Sequence, residues 1–137
     1  MKNLILFILF ISCTSANDIK YIPKETMQKD TITNLINKAR IENDLNLLQS
    51  ETLLISLSKI KAMQMESDKE VNHNGFASLQ VGTESFVEIV GYGYKTESIL
   101  FQNYMNSEEH NKIILGDFTH IGSYTSNSYN CILFAKY

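Results

Sequence analysis

Apolar side chains recur at helical spacing in three parts of the chain. Ile32, Leu35, Ile36 and Ala39 share one face, with Asn34, Asn37 and Lys38 turned away. Asp30 is placed to cap this helix, and the polar Glu42-Asn43-Asp44 stretch ends it. Leu45, Leu47 and Leu48 form a connector, and Ser50-Glu51 opens a second helix. Its face of Leu54, Leu57, Ser58, Ala62 and Met65 alternates small with large residues, which suits close packing on another layer. Thr96 caps a third helix with Ile99, Leu100, Asn103 and Tyr104 inward. A short fourth helix follows Ser107. That serine is placed as N-cap, Glu108 and Glu109 fill the first turn where carboxylates suit the dipole, and Gly116 is the stop.

The remaining apolar runs read as strands. Phe86 to Val90 is extended, and Ile121–Thr125 and Tyr129–Lys136 are joined by a Ser126-Asn127-Ser128 turn. Between the second helix and the first strand, Ser67 to Val71 is charged and loop-like, leading into a turn at Asn72-His73-Asn74-Gly75. Gly91-Tyr92-Gly93-Tyr94 is a flexible aromatic turn without the spacing of a phosphate cradle. A helix-rich first half and a hairpin-ended second half predict an α+β domain with layered packing. Glu88 stands out among apolar neighbours. Either it points to solvent by alternation, or it is held at a site by a partner.

Composition narrows the class. With 137 residues, 44% hydrophobic and 20% charged, the chain holds one core. A net charge of -3 without a basic stripe argues against a nucleic-acid partner. Met1-Lys2-Asn3 and the apolar run Leu4 to Ile11 form a signal segment too short to span a bilayer. Cleavage after Ala16 gives a soluble exported product. Cleavage before Cys13, in a Phe-Ile-Ser-Cys sequence resembling a lipoprotein signal, gives a lipid anchor on that cysteine. Both schemes predict export to the periplasm, the exterior or a membrane surface, with membrane contact only through the signal or that lipid. Residues 17–30 are then a lead-in and 31–137 the domain. Cys131 has no partner under either scheme, so it is expected to be buried and unpaired.

His110 lies in the first turn of the fourth helix. The dipole there opposes its protonation while the adjacent glutamates favour it, which leaves its charge state open. The motifs N-K-A-R (Asn37 to Arg40), L-x-x-x-S-x-x-x-A-x-x-M, N-H-N-G, V-E-I-V-G-Y-G-Y, S-E-E-H-N-K-I-I-L and D-F-T-H-I-G-S-Y occur in one order. In that order the chain resembles the CAP superfamily, also called SCP/PR1-like, in its compact bacterial branch, from Thr33 to Tyr137.

The resemblance implies a three-layer α-β-α sandwich around a central antiparallel sheet with an open cleft. It places His73, Glu88 and His110 in that cleft as ligands for a divalent cation. Ser107 stands where other members carry a second acid, and Ile89 replaces the asparagine of the family's E-N-I segment. Glu108 and Asn111 replace a proline and an arginine beside the second histidine. Two imidazoles and a carboxylate are a recognised zinc set, although Glu88 is equally suited to orient an imidazole by hydrogen bonding. Ser107 and Glu109 are expected only as capping or supporting groups, and no committed nucleophile is visible. The implied function is an exported, non-catalytic module whose cleft binds a cation, lipid or peptide at the cell envelope. The alternative is a metal-dependent hydrolase acting on envelope or host polymers.

Overall fold

The computed structural model describes residues 31–76 and 82–137. The signal segment, Cys13, the lead-in and the Asp30 cap lie outside them. The elements run α1 (Ile32–Glu42), β1 (Gln49–Ser50), α2 (Thr52–Asp68), β2 (Ser85–Tyr92), α3 (Glu97–Asn106), α4 (Glu108–Ile114), β3 (His120–Ser126) and β4 (Tyr129–Lys136). The sheet order is β1-β3-β4-β2. β2, β3 and β4 pair antiparallel as expected, but β1 adds a two-residue parallel pairing to β3, so the sheet is mixed. A pairing that short carries no periodicity of its own, and the sequence reading placed Ser50 in the following helix. Its N-cap is instead Glu51, whose carboxylate accepts from the Leu53 and Leu54 amides.

β4 is buried along its length except for Lys136, because both its faces are covered. Cys131, Leu133 and Ala135 pack toward Leu54, Ala62 and Met65 of α2. Ile132 and Phe134 alternate to the other face and meet Ile32 and Ile36 of α1, Leu100 and Tyr104 of α3, and Ile114 of α4. These are the three expected layers. The close approach foreseen for the small residues of α2 occurs at Gly122 of β3. A β-carbon there would stand 2.2 Å from the Leu54 carbonyl carbon and 2.3 Å from the Ile55 nitrogen. Ser58 Oγ uses this proximity to donate to the Gly122 carbonyl at 2.9 Å.

Several local readings change. Thr31 caps α1 by accepting from the Asn34 amide. α2 continues through Ser67 and Asp68, and Lys69 ends it in the left-handed region at φ 56°. On α3 only Leu100 and Tyr104 are buried. Ile99 and Asn103 face solvent, where the Asn103 amide donates back to the Ile99 carbonyl. Arg40 of α1 is buried, and its guanidinium donates to the carbonyls of Asn46, Ile114, Gly116 and Phe118. One side chain thus satisfies the end of α4 and the following turn, and Gly116 closes against Phe118. No helix among the described residues is long and apolar enough to cross a membrane.

Candidate functional site

Beyond Lys69 the chain doubles back along α2. Lys61 holds it there, its Nζ donating to Asn72 Oδ1 and to the Asn74 carbonyl, each at 2.8 Å. The Asn74 amide also donates to Asn72 Oδ1, and Phe76 stacks on Phe86 of β2 with centroids 4.9 Å apart. The turn so anchored delivers His73 to β2, where its Nδ1 lies 2.8 Å from Glu88 Oε1. An ionised carboxylate only accepts, so in this contact Nδ1 is the donor.

The Glu88 side chain is 2% exposed and that of His73 63%. β2 pairs with β4 so that Glu88 stands opposite Leu133, on the α2 face of the sheet. Its second oxygen accepts the Cys131 S–H at 3.7 Å. Both carboxylate oxygens therefore have donors, which meets the cost of burying the charge. Burial pushes the Cys131 thiol well up from its ordinary range, and the Glu88 charge adds to the effect. A thiol so held is not a nucleophile.

Beside Glu88 opens a pocket of about 110 Å³. Leu57, Ile60, Phe76 and Leu133 give it apolar walls, and Lys61 and Glu88 are its charged members.

His110 keeps different company. Its ring stands against Tyr104 with centroids 5.0 Å apart and planes at 61°. The Tyr104 hydroxyl donates to Asn130 Oδ1 at 3.2 Å, and burial raises the pKa of that phenol. Asn130 alternates with Cys131 along β4, so this chain of contacts belongs to the face opposite Glu88. The structure brings His73 and Glu88 together and sets His110 in the other helical layer. Among the described residues no group of three His, Cys, Asp or Glu stands arranged for a metal ion. The His73–Glu88 pair fits an imidazole oriented by a carboxylate better than a zinc ligand set.

Ser107 ends α3 and begins α4, but its side chain makes no capping bond, contrary to the expectation of an occupied hydroxyl. With ψ near 122° it shares the junction of two helices, and its amide is already spent on the Tyr104 carbonyl. Glu109 is exposed in the first turn, and its neighbour Glu108 pairs with Lys112 at 2.7 Å. Sequence reasoning passed over Lys61 and Arg40 because charged side chains on helices are usually solvated. The available signal was spacing: Leu54, Ser58, Lys61 and Met65 recur on one helical face.

The sequence matches the family described as "CAP: Cysteine-rich secretory protein family" over residues 33–135. No curated protein matches it. Among solved structures it is similar to an extracellular protein containing a SCP domain from Bacillus anthracis, at 18% identity and a TM-score of 0.73, over 85% of this chain and 45% of that one. An outer surface protein of Borrelia burgdorferi is 20% identical with a TM-score of 0.70, over 84% of this chain and 96% of that one. A cysteine-rich secretory protein from Staphylococcus aureus is 18% identical with a TM-score of 0.70, over 77% and 37%. The chain thus spans less than half of the Bacillus and Staphylococcus proteins and nearly all of the Borrelia one. With the family match covering most of its length and the α-β-α layering in place, this chain belongs to the CAP family.

Proposed function

We propose that the chain is an exported, non-catalytic CAP module that binds a ligand with an apolar body in the pocket beside Glu88. The observation that carries this reading is a carboxylate 2% exposed, spent on His73 and Cys131, at the wall of a pocket whose apolar lining is Leu57, Ile60, Phe76 and Leu133 and whose polar lining includes Lys61, Gln64 and Asn74. Such a pocket sorts ligands by apolar contact and a few fixed polar groups. Export is supported by the apolar run Leu4 to Ile11 and by the extracellular and outer-surface descriptions of similar proteins. The ligand is then met at the cell envelope.

Hydrolysis is the weaker reading because among the described residues no activated nucleophile lies at the pocket. Cys131 is buried with a raised pKa, and Ser58 Oγ is bonded to the Gly122 carbonyl. A zinc-bound water would need His110 to join His73 and Glu88. Calorimetric titration with zinc tests that alternative: binding lost in both His73→Ala and His110→Ala revives it.

The binding reading is tested by titrating the purified protein with octan-1-ol while following the methyl signals of Leu57, Ile60 and Leu133. Saturable shifts on those residues, abolished in Leu57→Arg, are expected. Shifts spread evenly over the surface overturn the proposal.

A further inference from the structure

The order β1-β3-β4-β2 leaves one side of β2 unpaired among the described residues. Its register with β4 runs one to one from Ser85↔Lys136 to Tyr92↔Tyr129, and the Gly93 amide continues it by donating to the Ser128 carbonyl at 3.0 Å. Opposed residues of an antiparallel ladder alternate between bonded and non-bonded pairs. With Gly93 in a bonded pair, the odd-numbered residues of β2 turn their main-chain groups to β4. Phe86, Glu88, Val90 and Tyr92 turn theirs outward, where they meet no main-chain partner among the described residues. Water reaches this edge. Glu88 is 7% exposed as a residue and its side chain 2%, so most of what it shows to solvent is main chain.

Open edges are usually blunted by shortness, a bulge, proline, lysine or an inward charge. β1, at the opposite edge, is two residues long. β2 runs for eight residues, its register has no bulge, and it contains neither lysine nor proline. Its one charge, Glu88, points inward and guards against a particular partner, a second copy of the chain. A two-fold pairing through all four outward positions sets Glu88 opposite Val90 of the copy. The two Glu88 carboxylates then stand diagonally, ~7–8 Å apart on one face, and two buried like charges at that spacing oppose the pairing. A strand with a neutral residue there meets no such cost, because Glu88 already has donors in His73 and Cys131.

We infer that the β2 edge receives an extended segment of another protein as a fifth strand of the sheet. N–H and C=O groups repeated at every second residue match another extended main chain, and neither a lipid nor a sugar carries that repeat. The segment is free of proline and uncharged opposite Glu88, with apolar side chains beside Phe86 and Tyr92 on one face and Val87 on the other. The pairing uses main-chain groups and holds whether or not the pocket is filled.

The test titrates the purified protein with the peptide N-acetyl-Lys-Val-Thr-Val-Thr-Val-Lys-amide while following main-chain amide signals and their hydrogen exchange. Saturable shifts and slowed exchange are expected at Phe86, Glu88, Val90 and Tyr92. Two N-methylated forms of the peptide decide the mode, one methylated on its valines and the other on its threonines. Only one of these sets of N–H groups faces β2 in a paired strand. One form should therefore lose at least about tenfold in affinity while the other stays within about threefold of the parent. Equal loss in both forms, or shifts confined to Leu57 and Ile60 at the pocket, overturns pairing at the edge. So does the absence of saturable shifts up to about 1 mM peptide. Sedimentation equilibrium of the protein alone covers the other occupant: a dimer in which the same four amides are protected without peptide overturns the partner-protein reading in favour of a second copy.

Discussion

Glu88 and His73 meet at 2.8 Å with one side chain buried and the other open to solvent, an asymmetry that decides what each is worth to the fold. His73 loses little by facing water. Removing it strips a buried carboxylate of its best donor, so His73→Ala should cost about 1–3 kcal/mol, read by urea unfolding. Replacing the carboxylate itself is different. Glu88→Leu fills the same space, releases an exposed imidazole to water, and should be neutral or stabilising by up to about 4 kcal/mol. Glu88→Ala should destabilise through the cavity it leaves. A Glu88→Leu variant as unstable as Glu88→Ala would mean that the carboxylate is structural.

Cys131 should not react with a bulky thiol reagent in the native state. It is fully buried beneath α2, and its thiol is pushed away from the reactive thiolate by burial and by Glu88. Labelling is expected only at the rate of unfolding, and rising with urea. Complete modification within minutes in buffer would show that α2 lifts from the sheet.

Gly122 should be the least replaceable glycine. Its Gly122→Ala β-carbon meets backbone atoms of Leu54 and Ile55, which cannot turn aside as a side chain would. The expected loss exceeds about 3 kcal/mol, above the usual range for overpacking. Gly93→Ala is the control. Nothing lies within 4 Å of its β-carbon, but its φ is +90°, so only backbone strain of about 1–2 kcal/mol is added. Equal midpoints for the two variants would contradict the close approach of α2 to β3.

What the sequence revealed follows the range of the interaction concerned. Thr96 as a cap, the Leu54–Ser58–Ala62–Met65 face and the Asn127-Ser128 turn were legible because their signals lie within a few residues. Cys131 was legible by arithmetic. β1 was not, because two residues pair with a strand some seventy positions away. Arg40 and Lys61 were missed since their acceptors are backbone carbonyls and an amide, which leave no trace in residue type. The resemblance put His73, Glu88 and His110 on one cleft. Alternation along β2 and β4 explains why two of them share a face and the third follows Tyr104 to the other.

The β3–β4 turn should make stability depend on pH through Glu66. Its carboxylate accepts from the Ser126 hydroxyl and the Asn127 amide, tying the end of α2 to the hairpin. The Ser126 bond, then those of Asn127 and the Lys69 charge, hold its pKa below the ordinary 4.5. A carboxylate with a lower pKa folded than unfolded contributes stability that is present above its unfolded value. That contribution is lost as pH falls through the folded one. Wild type should therefore exceed Glu66→Gln in thermal midpoint near neutrality, and the gap should close below about pH 4, under the reference for a free glutamate. The exposed setting keeps the effect modest and sensitive to salt. A gap that is constant from neutral to strongly acid pH would show that the charge of Glu66 has no part in holding the turn.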